Sequence, residues 1–357
     1  MPARGTRPGP IELPVAARAA NFHGAIIDTT STPRAIAPRG RACLQYLPVN
    51  LFACVMGIAG LSLAWRQASR QFGASPAIGN AIGGLATAIF VLLCVAYGTK
   101  ALRHPQAVRN EFRHPIAGNF FGTVGIAVLL ISSVVAPLSA AASELLWGLG
   151  AAMTIALGFT LVSRLLLGKV DAGHALPAWL IPGVATLDIA VAGGDATAPW
   201  ARELNLFSLA VGTMVALVFF TMIVSRLIHH HEKLAGEMVP SLMILIAPFE
   251  VGFLAYTNFF QRVDAFAAML FYFGLFVFFA LASKVFRRGI PFAAGWWALS
   301  FPLAALNNAA LRYADHVRCL PLSVFAIALL ALLTVLMATL LARTIQTLVD
   351  GRLLGPR

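Results

Sequence analysis

The sequence predicts an all-α polytopic membrane protein: ten transmembrane helices as five helical hairpins, with the odd-numbered helices lining a central pore. Three observations lead there. Of 357 residues, 59% are hydrophobic and 11% charged, against roughly 25% charged in soluble domains, and the mean hydropathy is +0.82. The apolar residues fall into runs of about 20, the length that crosses the hydrocarbon of a bilayer. Interior prolines and mid-depth acids occur only in alternate runs.

Along the chain, residues 1–46 hold six arginines and two acids with no sustained apolar run, and read as a disordered basic cytoplasmic tail. The expected spans are 47–65, 77–98, 118–138, 143–167, 176–194, 204–226, 238–259, 264–286, 293–313 and 320–345. A short cytoplasmic tail, 346–357, closes the chain after this 47–345 membrane domain. Connections such as RQASRQFGASP and GGDATAPWARE are short and rich in turn formers, so consecutive helices are antiparallel neighbours. With the N-terminus cytoplasmic, 20 Lys and Arg lie at cytoplasmic ends and six outside: Arg66, Arg70, Arg202, Arg262, Arg312 and Arg318. That asymmetry puts both termini inside. It also accounts for the net charge of +12 without nucleic acid.

The odd spans carry the irregularities. Pro182, Pro248 and Pro302 interrupt the fifth, seventh and ninth; Gly57 and Gly60, then Gly122 and Gly125, stand at similar depth in the first and third. Asp188 and Glu250 are also in odd spans. Broken backbone and acids at membrane depth belong where they are buried in protein or line a watery path. Each acid is expected to be neutral or paired, for instance with Arg312 or a backbone amide. A neutral one can hydrogen-bond a solute or carry a proton.

Other features imply less. Cys43, Cys54, Cys94 and Cys319 lack CxxC spacing and suggest neither a disulfide frame nor a zinc site. His229, His230, His231 and Glu232 are consecutive, so they cannot all face one ion from a helix, and read as a solvated loop. Gly79, Gly83 and Gly84 make a small surface for close helix packing. A Gly-Lys-Ser phosphate loop, HExxH and Gly-x-Ser-x-Gly are all lacking, so no enzyme, cofactor or metal is expected.

Five stretches carry a likeness to a known family: GIAGLSLAW (57–65), HPIAGNFFG (114–122), PAWLIPGVA (177–185), LMILIAPFEVGFLAY (242–256) and WWALSFPLAALN (296–307). The chain resembles the tellurite-resistance/dicarboxylate transporter family, which includes the bacterial tellurite-resistance protein TehA and plant guard-cell slow-type anion channels. The resemblance implies ten helices in five hairpins, a pore through each protomer and a homotrimer of separate pores. It also implies a phenylalanine of the ninth helix that plugs the pore, at the position of Phe301.

Pro302 lacks an N–H and disfavours helical geometry at Phe301, so a bend is expected there. A ring at that bend either narrows a path as a hydrophobic constriction or packs between helices. Asn307 and Asn308 either line the path beyond it or tie helices together. The expected function is a gated anion channel or transporter of a bacterial inner membrane, with the lipid bilayer and small inorganic or organic anions as partners. The alternatives are a proton-coupled carrier of dicarboxylates, tellurite or sulfite-like oxyanions, and a membrane sensor or scaffold with a non-conducting pore.

Overall fold

The computed structural model describes residues 43–167, 175–194, 198–229, 234, 236–287, 289–290 and 292–354. Most of the expected N-terminal tail, and His230, His231 and Glu232, lie outside these residues; His229 ends a helix. Every regular element described is helical: α1 (Phe52–Phe72), α2 (Pro76–Arg103), α3 (Pro105–Arg113), α4 (Gly122–Val135), α5 (Ala140–Leu166), α6 (Ile181–Ala192), α7 (Pro199–His229), α8 (Ala247–Phe260), α9 (Ala265–Val285), α10 (Ser300–Val317) and α11 (Leu320–Val349).

Eight helical segments are long and apolar enough to cross a membrane, and the protein is an integral membrane protein. The stretch Pro177–Ala192 is apolar but shorter. The stretch through α10 is diluted by Asn307, Asn308, Arg312 and Asp315.

Two shells are distinguished by burial. Among the eight, the most apolar windows of Val49–Phe72, Ala117–Val135 and Gly236–Phe260 are 78%, 72% and 78% buried. Those through α2, α5, α7, α9 and α11 are 17–33% buried and expose large side chains such as Leu92, Phe159, Met214, Phe276 and Val335. Helices α1, α4, α6, α8 and α10 pack side by side into a closed inner ring, and each outer helix packs on the inner helix before it in sequence. Close approach within the ring needs small residues. A Cβ on Gly57 would lie 2.5 Å from Ser300 Cβ, and one on Gly60 would lie 2.6 Å from Ala304 Cβ.

All five inner helices begin with 3₁₀ geometry: Val49–Leu51, Ala117–Phe121, Pro177–Leu180, Gly236–Ile246 and Ala294–Leu299. The outer helices do not. Runs of 3₁₀ beyond three or four residues are uncommon, so an eleven-residue run is unusual. The prolines sit just after the change of geometry, Pro182 and Pro248 as the second residue of α6 and α8, Pro302 as the third of α10. In a first turn the missing N–H costs least. These prolines therefore open α-helices and do not kink them midway. Gly122 is likewise the first residue of α4. Gly57 differs: α1 runs through it unbroken, and its role is the contact with Ser300.

Helix α3 has no counterpart among the expected elements. Pro105 ends α2 and starts a nine-residue turn of chain that exposes Arg109 and Arg113. It is anchored by Glu111, which accepts from Lys100 Nζ (2.6 Å), Val49 N (2.7 Å) and Tyr97 Oη (3.0 Å). The chain ends also differ from expectation. Cys43 N–H donates to the Leu354 carbonyl (3.2 Å), and α11 runs on to Val349.

Candidate functional site on the axis of the inner ring

Two cavities lie among the five inner helices, and Phe301 lines both. The narrower one, about 30 Å³, is bounded almost wholly by apolar side chains at the 3₁₀–α junctions. Its lining recurs every third residue: Ala53 and Met56; Phe120, Thr123 and Ile126; Ile181 and Val184; Ile244 and Ala247. Phe120 and Ile244 belong to the 3₁₀ segments and the others to the first turns of the α-helices, where residues three apart share a face.

The wider cavity, about 340 Å³, lies among the α-helical portions. Its lining follows α spacing, as in Val251, Leu254 and Asn258, or Phe301, Ala304, Ala305, Asn308 and Arg312. Among its apolar side chains it carries three guanidinium groups, those of Arg66, Arg70 and Arg312. Arg66 donates to the Val134 carbonyl (2.8 Å) and Asn80 Oδ1 (3.1 Å), and both acceptors are neutral. Arg70 stands one turn further and is exposed. Arg312 donates to Asn258 Oδ1 and to the Thr257 carbonyl (3.1 Å).

The structure separates residues that look alike in sequence. Asp188 lines the wider cavity, is 2% exposed, and leaves Oδ2 without a partner. Glu250 lines neither axial cavity. It is fully buried between α8 and α9 against Gly274, with neither carboxyl oxygen partnered. Asn308 lines the wider cavity while donating to the Gly60 and Ala304 carbonyls (3.0 and 2.8 Å). Asn307 faces away and donates to the Ala326 carbonyl of α11 (3.0 Å). Of the expected path residues, Phe301, Pro302, Asp188 and Asn308 come together here; Glu250 and Asn307 do not. Gly79 and Gly83 pack on Arg66, Ser62 and Val134 within the protomer, whereas Gly84 has open space beside it. Among the described residues no cluster of three or more His, Cys, Asp or Glu is placed to hold a metal.

Sequence reasoning missed Arg66 and Arg70 as site residues, counting them only for topology. Their signal was present. Gly60, Leu63, Gln67 and Arg70 continue one helical face past the end of the apolar run.

A ring of inner helices with cavities on its axis, enclosed by a lipid-facing shell, defines a polytopic membrane protein built like a channel or transporter. The chain belongs to the SLAC1 family of voltage-dependent anion channels, whose model matches residues 46–345. It is 23% identical over 319 residues to the S-type anion channel SLAH2 of Arabidopsis thaliana, covering 85% of this chain and 59% of that one. It is 25% identical over 311 residues to the tellurite resistance protein TehA homolog of Haemophilus influenzae, covering 86% and 92%. With the guard cell S-type anion channel SLAC1 of Arabidopsis thaliana it shares 22% identity over 314 residues, 85% and 56% of the two chains. The chain thus spans little more than half the length of these plant relatives.

Proposed function

We propose that the protein is a gated anion channel or transporter whose path follows the axis of the inner ring and is closed at Phe301. The observation that carries this is the place of Phe301 in the walls of both axial cavities. A phenyl ring between an apolar neck and a basic vestibule repels water from a constriction. The guanidinium groups of Arg66 and Arg70 supply positive potential at the vestibule, which raises the local concentration of anions. The names of the relatives support the anion as cargo. In this reading the eight long segments, Pro177–Ala192 and the stretch through α10 all cross the membrane, both termini are cytoplasmic, and the protein works as a homotrimer in a bacterial inner membrane. The vestibule then faces outward.

Asp188 favours a second reading, a proton-coupled carrier of dicarboxylates, tellurite or sulfite-like oxyanions. A buried acid in the vestibule wall with one oxygen unpartnered is a candidate proton carrier at the edge of the path. The deciding experiment is flux into liposomes holding the purified protein, with chloride, nitrate, sulfite, malate, succinate and tellurite at two pH values. Anion flux that dissipates a membrane potential without moving protons supports the channel. Stoichiometric proton movement supports the carrier. No flux of any anion overturns both and leaves a sensor or scaffold.

A further inference from the structure

A third recess lies off the axis, on the lipid-facing surface between α2 and α5. This groove of about 480 Å³ is lined by Cys94 and Tyr97 of α2, Met153 and Thr160 of α5, and, at its base, Phe52 and Phe121 of the inner ring. Its few polar groups are already engaged: Thr160 Oγ1 donates to the Ala156 carbonyl (2.7 Å), and Tyr97 Oη donates to Glu111 (3.0 Å). An occupant of the trench itself must therefore be apolar.

One end of the groove is cationic. Arg164 follows Thr160 by one turn of α5, near the helix end at Leu166. Its guanidinium lies 4.2 Å over the Phe112 ring and donates to the Phe112 carbonyl (3.1 Å). Phe112 in turn meets Phe121, in the groove wall, with centroids 5.1 Å apart. The hydrogen-bond acceptor of Arg164 is neutral, and a guanidinium has four further N–H donors.

We infer that this groove holds one acyl chain of an anionic phospholipid, with the lipid phosphodiester at Arg164. Helix α2 is the least covered of the outer shell, 17% buried in its most apolar window, and α5 is 28% buried, as are α7 and α9. In the bilayer their surroundings are lipid chains. A phospholipid supplies a flexible apolar chain of trench width and, at its head, the negative charge that Arg164 lacks. The lipid would rest directly behind the narrow axial cavity. Phe52 and Phe121 form the base of the groove, while their chain neighbours Ala53 and Phe120 line the axis.

The test is native mass spectrometry of the full-length protein, purified in mild detergent, delipidated, and titrated with dioleoyl phosphatidylglycerol or phosphatidylcholine. Wild type should prefer phosphatidylglycerol about tenfold, because the choline cation of phosphatidylcholine offsets the phosphodiester charge that Arg164 would meet, a difference of the size of one charge-assisted hydrogen bond. Arg164→Gln should bind both lipids equally, and Arg164→Lys should keep a preference. Gly98→Phe should bind neither, because a Cβ there meets no atom within 4 Å and the ring has room to enter the groove. Circular dichroism confirms folding; if Gly98→Phe does not fold, Cys94→Trp fills the same trench. Lipid binding that ignores both the filled groove and the charge change overturns the proposal. So does a disulfide between Cys94 residues of two protomers in the delipidated protein, which would put a second copy over the groove.

Discussion

Gly274 of α9 leaves open the space that the Glu250 carboxyl of α8 occupies: a methyl at that glycine would fall 2.2 Å from Oε1. The acid is thus a packing element between an inner and an outer helix, away from both axial cavities. Gly274→Ala should lower stability by roughly 1–3 kcal/mol, the usual cost of overpacking. Adding Glu250→Ala should recover part of it, since the new methyl then has room. Thermal unfolding in detergent measures both. Glu250→Gln should leave the pH profile of flux unchanged, and an altered profile would return Glu250 to the transport path.

Asp188 is the acid that shares a wall with Arg66, Arg70 and Arg312. Protonation removes one negative charge from a basic vestibule, so anion flux should rise as pH falls. Asp188→Asn should hold flux near its low-pH level throughout and flatten the profile. A mutant whose profile matches wild type would mean that Asp188 does not titrate in the working range.

Phe301→Ala removes the ring common to both axial cavities and leaves Pro302 and the start of α10 intact. Basal anion flux should rise. The stability cost should fall well below the roughly 3–5 kcal/mol of a dry Phe→Ala cavity, because this void opens onto space that water can fill. Equal flux from mutant and wild type, at equal protein per liposome, would assign Phe301 to packing.

Much of the inner and outer division was legible in sequence. Prolines and acids at span depth are tolerated only inside protein, so Pro182, Asp188, Pro248, Glu250 and Pro302 marked three of the five inner helices. The 3₁₀ starts were not legible. Over five or six residues an i+3 pattern such as Phe120, Thr123 and Ile126 does not differ from an α-helical face. Nor could sequence tell Asp188 from Glu250. Asp188 continues the line of Ile181 and Val184, whereas Glu250 stands one residue before Val251 in the cavity wall and so turns aside. Arg66 looked like a loop charge because hydropathy ends at Trp65, although α1 continues to Phe72.

Lys100 and Glu111 form a pair with side chains 3% and 14% exposed. Glu111→Gln should destabilise the protein by about 3–5 kcal/mol, because the ammonium stays buried without its counter-charge. Lys100→Met with Glu111→Leu should cost less than the single change. Lys100 Nζ also donates to the Leu47 carbonyl (2.7 Å). Melting temperatures of the two variants decide it, and a milder single mutant would show that this carbonyl suffices for Lys100.

The reading of topology predicts that a reporter active only in the periplasm stays silent when fused after Arg357. Activity there would place the C-terminus outside and reverse the vestibule.

Where 3₁₀ meets α in each inner helix, the angular step per residue changes from about 120° to about 100° and the rise from about 2.0 to about 1.5 Å. Shifting a junction by one residue therefore turns everything beyond it by about 20° and changes its reach by about 0.5 Å. Phe301 lies two residues past the last 3₁₀ residue, Leu299. Two residues exchanged between the geometries would swing its ring some 40° around the helix, like a key in a lock. In such an exchange the lengthening of an inner helix would be coupled to its rotation about its own axis.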